Sequence, residues 1–164
     1  MNKPKVGIVG YGMVGGAVGA WFKRAKILDR SKHADGLPAV NQCDIVFICV
    51  PTPYKKSTGY DYRAIELTAK RLTGRKIVVL KSTVLPGKTT EFQKKYPQHT
   101  WLFNPEFLRD KTAVQDFLKA DRQIVGVAKK TKKHYVAAKL VMKLLPKAPY
   151  QAITTSTEAE LIKE

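Results

Sequence analysis

The sequence has few of the features that mark secreted, metal-binding or membrane proteins. Its two cysteines, Cys43 and Cys49, form no Cys-x-x-Cys motif and belong to no Cys/His cluster. This pattern predicts reduced, mostly buried thiols in a cytoplasmic protein, and it predicts no disulfide and no metal site. The uncharged stretch 6–22 is rich in glycine and short for a membrane span, so a strand followed by a helix explains it better.

Acidic residues are also scarce, because 13 Asp and Glu stand against 30 Lys and Arg and give a formal net charge of +17. Such an excess of positive charge attracts polyanions. The lysine doublets at 55–56 and 94–95 and the run at 129–133 are separated along the chain, and no nucleic-acid-binding motif accompanies them. The sequence therefore favours solvated faces and the steering of an anionic nucleotide over specific nucleic-acid binding.

Near the start of the chain, an apolar strand pattern runs into a Gly-x-Gly-x-x-Gly turn. Gly10 permits the tight turn, Gly12 lets the main chain approach a pyrophosphate, and Gly15 lets the next helix pack closely on the strand. The N–H groups at the start of that helix, at Met13 and Val14, would face the phosphates. Together these features predict a dinucleotide-binding unit.

An acidic residue closes the second predicted strand, because Asp29 follows the first glycine of the turn by nineteen residues. A carboxylate at this point can accept hydrogen bonds from both hydroxyls of an adenosine ribose and would repel a 2'-phosphate, which favours NAD over NADP. Arg30 and Lys32 weaken that preference, because two cations beside the ribose would tolerate an extra phosphate. The alternative reading is a glycine-rich packing turn that binds no ligand.

The rest of the chain alternates between strand and helix patterns. Predicted strands cover 26–29, 44–50, 76–80, 100–103, 123–128 and 150–154, and predicted helices cover 62–72, 88–96, 113–118, 132–144 and a last segment from 157. Asp61 and Ser156 are the predicted N-caps of two of these helices. Only fourteen residues separate Asp29 from Asp44, which is short for a full helical crossover. The alternation predicts one doubly wound α/β domain with a mostly parallel, Rossmann-like sheet.

Several separate segments resemble the UDP-glucose/GDP-mannose dehydrogenase family, and specifically its N-terminal NAD-binding domain. The matching segments are 7–15, 50–53, 81–84, 104–108 and 156–163. They occur in the order of the family and extend over nearly the whole chain. The resemblance implies an NAD-binding domain at 1–155, followed at 156–164 by the start of the helix that leads, in the family, to a second domain.

Members of this family oxidise the C6 alcohol of a nucleotide sugar to a carboxylate, and they use two NAD molecules in succession. The resemblance implies that the glycine turn and Asp29 hold the adenosine half of NAD. Residues at the carboxyl ends of later strands would line the ribose and the nicotinamide, where open α/β sheets bind their ligands. The implied cofactor-binding residues are Gly10, Gly12, Met13, Val14, Gly15, Asp29, Arg30, Val50, Pro51, Thr52, Pro53, Ser82, Thr83 and Asp110.

The resemblance also implies three catalytic residues. Thr83 matches a threonine that helps to position a water, Glu106 matches the carboxylate of the hydrolytic step, and Lys163 matches a lysine that stabilises a developing alkoxide. Asp110 stands in place of a second acidic residue and is one methylene shorter than the usual glutamate. Without the resemblance, Thr83 would bond its own turn, Glu106 would be a surface carboxylate, and Lys163 would lie at a frayed end.

The sequence also departs from the family pattern. The family nucleophile is a cysteine of the second domain, no matching segment occurs here, and Cys49 falls within a predicted buried strand. The asparagine expected one helical turn after Lys163 is missing, and Lys111 replaces a usual glycine. We therefore expect a half-enzyme, or an inactive relic, whose nucleotide-sugar domain would come from a separate chain or through homo-oligomers.

Two other classes of function remain open from the sequence. One is a non-catalytic protein that uses its basic surface to bind an anionic partner, either a nucleic acid or an acidic protein. The other is an assembly module that docks on another subunit through its final helix, residues 156–164. Salt-sensitive binding to polyanions would favour the first class, and size measurements with and without the helix would test the second.

Overall fold

The structure is a computed structural model that describes residues 2–30 and 34–163, so Lys32 lies outside the described residues. The strands are β1 (Val6–Val9), β2 (Lys26–Leu28), β3 (Ile45–Ile48), β4 (Tyr54–Lys55), β5 (Gly59–Tyr60), β6 (Ile77–Leu80), β7 (Thr100–Phe103), β8 (Arg122–Val127) and β9 (Tyr150–Thr155). The helices are α1 (Met13–Trp21), α2 (Leu37–Asn41), α3 (Arg63–Arg71), α4 (Lys88–Lys95), α5 (Ala113–Leu118), α6 (Lys132–Leu144) and α7 (Ser156–Lys163).

Seven of the strands form one sheet in the order β2-β1-β3-β6-β7-β8-β9. The first five in this order run parallel, β8 pairs antiparallel with β7, and β9 pairs parallel with β8. The chain leaves β1 toward β2 on one side and returns to β3 on the other, which opens a crevice at the carboxyl ends of these strands. The predicted Rossmann-like, mostly parallel sheet is confirmed.

Helices cover both faces of this sheet, as the continuous apolar strand patterns indicate. Along β3, Ile45 and Phe47 pack with α1, α5 and α6, whereas Val46 and Ile48 pack with α2, α3, α4 and α7. All four side chains are almost completely buried. Because successive strand residues point to opposite faces, one apolar run supplies both halves of the core.

The structure agrees that no full helical crossover lies between Asp29 and Asp44, and it adds a short helix there and a hairpin after β3. The short connection holds a single turn of helix, α2, because the fourteen residues leave no room for more. Neither α2 nor the two-residue strands of the β4–β5 hairpin carry a periodic apolar pattern, so the sequence prediction missed both. Tyr54 pairs with Tyr60 in this hairpin, which lies between the end of β3 and the start of α3.

The two predicted N-caps are also corrected. Tyr62 occupies the N-cap position of α3, although the carboxylate of Asp61 still accepts the backbone N–H of Arg63 at 3.0 Å. Helix α7 begins at Ser156 itself, and Thr155 caps it instead.

The start of α7 is a capping box. The Thr155 hydroxyl accepts the N–H of Glu158 at 3.3 Å, and the Glu158 carboxylate accepts the N–H of Thr155 at 3.1 Å. This reciprocal arrangement satisfies two backbone donors at the helix start. The final helix therefore begins with both of these backbone donors satisfied, and Ser156, Ala159 and Glu160 are buried in its packing.

Candidate functional site

The glycine turn between β1 and α1 is held by close contacts with the main chain. Gly10 adopts φ +85°, and its N–H donates to the carbonyl oxygen of Leu28 at 2.8 Å. A Cβ at Gly10 would lie 2.8 Å from the carbonyl oxygen of Cys49, and a Cβ at Gly15 would collide with the carbonyl oxygen of Gly10. Only glycine fits at these two positions, which explains the first and third glycines of the motif.

The start of α1 is open to a ligand. Gly12 occupies the N-cap without any side-chain cap, and no atom lies within 4 Å of the place that a Cβ would take. The next two residues, Met13 and Val14, line the adjoining crevice. Backbone N–H groups at a helix start carry a partial positive charge, so this end of α1 suits a phosphate.

The adenosine end of the crevice lies beyond β2. The Asp29 carboxylate accepts the backbone N–H of Tyr11 at 2.9 Å, which fixes it beside the glycine turn. Arg30 lines the crevice next to Asp29, and Leu67 and Arg71 of α3 also line it. A carboxylate suits the hydroxyls of a ribose, and the apolar Leu67 side chain suits the flat base of a nucleotide.

One crevice of about 1140 Å³ brings most of the predicted site residues together. Thirteen of them line it: Gly10, Gly12, Met13, Val14, Asp29, Arg30, Val50, Pro51, Thr52, Pro53, Ser82, Thr83 and Glu106. Gly15 lies beneath the turn that it shapes, and Asp110 and Lys163 are not among the lining residues. The crevice passes over the carboxyl ends of four neighbouring strands, so its length and its phosphate-facing turn fit an extended dinucleotide.

The loops after β3 and β6 are joined across this crevice. The Thr52 hydroxyl donates to the carbonyl oxygen of Thr83 at 2.7 Å, and the Ser82 hydroxyl donates to the carbonyl oxygen of Val50 at 2.6 Å. Through these two bonds, the side chains of predicted ribose-binding residues hold the two loops together and make this part of the crevice more rigid. Preorganised loops of this kind lower the entropic cost of binding a ligand.

The structure pairs two predicted catalytic residues that are far apart in sequence. The Lys163 ammonium lies 2.5 Å from the Glu106 carboxylate and 3.2 Å from the Glu106 carbonyl oxygen, and both side chains are less than 15% exposed. The second carboxylate oxygen accepts the N–H of Leu108 at 3.1 Å. Helix α7 runs back from the far end of β9 and brings Lys163 to this carboxyl edge, where its ammonium contacts Glu106.

The sequence reasoning assigned no role to Lys81, which follows β6 directly. Its side chain is 2% exposed, yet it lines the crevice. The ammonium donates to the Asn104 side-chain oxygen at 2.7 Å and lies 5.4 Å from the centre of the Phe117 ring. Burial lowers the pKa of Lys81 to about 8, and Cys49 and Glu106 oppose that shift. The sequence did offer one indication of a site residue, because Lys81 lies between an apolar strand and the predicted site residue Thr83.

Cys49 does not lie within a strand, contrary to the prediction. Strand β3 ends at Ile48, so Cys49 stands at the carboxyl edge and lines the crevice. Burial nevertheless raises the pKa of its thiol to about 12, and burial also raises the pKa of Cys43. Both cysteines are free thiols, and neither has the lowered pKa of an activated nucleophile.

Asp110 begins a single 3-10 turn, Asp110–Thr112, just before α5. The acidic residue that organises this region is Asp116, which forms a two-pronged ion pair with the Arg109 guanidinium. That ion pair holds the pKa of Asp116 well below its usual range. The cofactor role of Asp110 stays a prediction.

Within residues 2–30 and 34–163, no three His, Cys, Asp or Glu side chains are grouped so that they could hold a metal ion. In the same part of the chain, none of the helices combines the length and apolar character needed to cross a membrane.

Similarity to known proteins supports the assignment of this crevice to a dinucleotide. The model of the UDP-glucose/GDP-mannose dehydrogenase family, NAD binding domain, matches residues 27–144. A UDP-glucose 6-dehydrogenase of Rickettsia bellii is 35% identical over 128 residues, which are 73% of this chain and 29% of that protein. The family match begins after the glycine turn, so the geometry of the turn supports the assignment separately.

Solved structures show the same fold. A UDP-glucose dehydrogenase from Pyrobaculum islandicum has a TM-score of 0.79 and 25% identity, and the similarity covers 99% of this chain and 48% of that one. A GDP-mannose dehydrogenase from Pseudomonas aeruginosa has a TM-score of 0.78 and 23% identity, with 97% of this chain and 48% of that one covered. The chain thus spans about half the length of these solved proteins.

The family match extends over more than half of the chain, and the crevice, which the matched residues form together with the glycine turn, fits the cofactor named in the family description. The predictions of the family, of the fold and of NAD as the cofactor are confirmed. This chain belongs to the UDP-glucose/GDP-mannose dehydrogenase family and comprises its NAD-binding domain.

Proposed function

We propose that this domain serves the NAD-dependent oxidation of the C6 alcohol of a nucleotide sugar such as UDP-glucose. The observation that carries the proposal is the Lys163–Glu106 ion pair, which lies where the dinucleotide crevice meets the end of β7. An ammonium and a carboxylate at hydrogen-bonding distance, both largely shielded from water, suit a reaction in which an alcohol loses a proton and a hydride.

Bound NAD would accept the hydride. The chain's own residues would stabilise charge, accept a proton and position a water. Lys163 would stabilise the developing alkoxide through its positive charge, and Glu106 would accept a proton. Thr83, in the loop that Thr52 holds in place, would position a water for the hydrolytic step. The low exposure of the ion pair supports these roles, because electrostatic stabilisation is stronger where water is excluded.

The second oxidation in the family requires a reactive thiol, and this chain offers none. The two cysteines have raised pKa values, and the thiolate is the form that attacks an aldehyde. We therefore infer that the nucleophile and the nucleotide-sugar-binding residues belong to a nucleotide-sugar domain that lies outside these 164 residues. Free thiols also favour a reducing compartment, in keeping with a cytoplasmic location.

A thermal-shift experiment tests the cofactor part of the proposal. NAD at about 100 times its Kd should add about 2.7 kcal/mol of stability and raise the Tm by roughly 5–10 °C. Asp29→Ala should remove most of that gain, because the variant loses the carboxylate beside the ribose. Asp121→Ala, at the exposed start of β8, is the charge-matched control and should keep the full shift.

Turnover tests the catalytic part. The chain alone should produce no detectable NADH from UDP-glucose, and adding the missing nucleotide-sugar domain should restore turnover that depends on Lys163 and Glu106. Efficient oxidation to the acid by the chain alone would contradict the proposed division of the active site. The alternative of a non-catalytic basic binding protein gains no support from the relatives named above, which are dehydrogenases.

A further inference from the structure

Two buried lysines stand at opposite ends of the central strand β6. Lys76 precedes the strand, and its ammonium donates to the carbonyl oxygens of Asn41 at 2.5 Å and Cys43 at 2.9 Å. Lys81 follows the strand and lines the cofactor crevice. Of these two buried cations, only Lys81 can act on a bound dinucleotide, because Lys76 lies at the amino end of β6 and the crevice lies at the carboxyl end.

The positive charge of Lys81 has no carboxylate of its own to balance it among the described residues. Its hydrogen-bond partner is the neutral amide of Asn104. The charged or titratable groups that face it are Cys49, Glu106 and Lys163. Glu106 is already paired with Lys163, and the Cys49 thiol is protonated because its pKa is raised to about 12. The cluster therefore carries one excess positive charge near neutral pH.

This charge lies at the end of the crevice away from the adenosine. Asp29 marks the adenosine end and follows β2, whereas Lys81 follows β6. Two strands, β1 and β3, stand between them in the sheet, so the two ends are three strand spacings apart, about 14 Å. The end that Lys81 lines, together with Thr83 and Glu106, is the one that the proposed function gives to the nicotinamide.

We propose that Lys81 makes this crevice bind NADH more tightly than NAD⁺, an inference that rests on the proposed function. The two forms differ by one positive charge on the nicotinamide ring, and the rest of the dinucleotide is the same. A buried ammonium in the wall at the nicotinamide end of the crevice would repel the charged ring more strongly than the uncharged ring. For partly shielded charges this repulsion corresponds to a preference of roughly five- to twentyfold.

Lys81 is thus a residue that sets specificity for the redox state of the cofactor. A site that favours the uncharged ring also favours the acceptance of a hydride, because that step removes the positive charge from the ring. The cost of keeping an ammonium buried is met by the Asn104 side chain and the Phe117 ring.

The test compares three ligands on three proteins. The dissociation constants of NAD⁺, NADH and ADP-ribose, which lacks the nicotinamide, are measured by calorimetry at pH 7 for the unsubstituted chain, Lys81→Met and Lys76→Met. We expect a several-fold preference for NADH in the unsubstituted chain and in Lys76→Met. In Lys81→Met the preference should fall to about onefold, while the affinity for ADP-ribose stays the same.

A second measurement does not depend on the folding of a variant. At pH 9.5 the ammonium of Lys81 is largely deprotonated, since its pKa is about 8. The preference of the unsubstituted chain for NADH should therefore shrink between pH 7 and pH 9.5. Where Lys81→Met folds, its ratio of the two affinities should stay the same between pH 7 and pH 9.5.

The outcomes separate this inference from the proposed function. Equal affinities for NAD⁺ and NADH in the unsubstituted chain overturn the inference alone. The same holds for a preference that persists in Lys81→Met or at pH 9.5. Failure of NAD⁺, NADH and ADP-ribose to bind at all overturns the proposed function and this inference with it.

Discussion

Glu160 and Thr89 are joined by two hydrogen bonds to a single carboxylate oxygen. The backbone N–H of Thr89 lies 2.9 Å and its hydroxyl 2.5 Å from Oε1 of Glu160, and the other oxygen accepts the N–H of Gly87 at 2.6 Å. Glu160 is fully buried on α7, and its partners form the start of α4. One turn further along α7, Lys163 contacts Glu106, so Glu160 fixes the helix that carries the proposed catalytic lysine.

Glu160→Ala should destabilise the domain by about 2–4 kcal/mol, because three donors, two of them buried, would lose their acceptor. Urea denaturation monitored by circular dichroism measures the free energy of unfolding. Glu91→Gln on α4 is the control, since Glu91 is exposed and pairs with Lys88 in a surface ion pair. A Glu160→Ala variant as stable as the Glu91→Gln control would show that α7 is not anchored through this carboxylate.

Two adjacent glycines of α1 should respond in opposite ways to the same substitution. Gly15→Ala places a methyl group against the carbonyl oxygen of Gly10 and should cost about 1–3 kcal/mol or more. Gly16→Ala meets no atom within 4 Å and should raise stability by up to about 1 kcal/mol, because alanine is the better helix former. Thermal unfolding with and without NAD measures both effects.

The two variants also separate packing from cofactor binding. Gly15→Ala should lose the stabilisation by NAD, since the turn that faces the phosphates must shift, whereas Gly16→Ala should retain it. Equal NAD-dependent shifts in both variants would be inconsistent with phosphate binding at this turn.

Stability should fall as the pH drops below neutrality, because two histidines are buried in their neutral form. His99 accepts the N–H of Lys76 at 3.2 Å, and His134 bonds the Gln93 side chain at 2.7 Å. Burial lowers the pKa of both rings from the ordinary value of 6.5. The unfolded chain therefore binds protons first, so stability is present above pH 6.5 and is lost as the pH falls through the lowered pKa values.

Urea denaturation at pH 7.5 and pH 5.5, at constant ionic strength, measures this loss. A His134→Gln variant should show a smaller difference between the two pH values, since one of the two groups is gone. Constant ionic strength matters because the formal net charge of +17 makes repulsion sensitive to salt. Equal stability at both pH values would contradict the burial of neutral histidines.

The sequence was sufficient to predict the parts of this site that depend on local rules. The glycine turn and Asp29 could be identified because each residue meets a requirement of its own short segment. The large strands could be identified because their apolar runs are uninterrupted. The short helix α2 and the β4–β5 hairpin could not, because one turn or a pair of two-residue strands has no period to detect.

Contacts between segments that are distant in the sequence could not be predicted from these local rules. Glu106 and Lys163 are 57 residues apart, and only the family resemblance placed them in one site. Nothing local indicates that Glu160 caps α4, or that Lys81 is buried, since lysine after a strand is ordinarily exposed. Both depend on which helix crosses which strand end, and that is fixed only when the sheet assembles.

The reactivity of Cys49 tests whether this chain could supply its own nucleophile. The raised pKa, about 12 against an ordinary value of 9.0, should make the thiolate about a thousandfold scarcer at pH 8 than in an unperturbed cysteine. In a Cys43→Ser variant, which leaves Cys49 as the single thiol, alkylation by iodoacetamide followed by mass spectrometry should be correspondingly slow. The same variant in 8 M urea, an excess of denaturant, should react at the rate of a free thiol. Rapid labelling of the folded chain at pH 8 would mean that Cys49 is activated, and the second oxidation would then need no thiol from elsewhere.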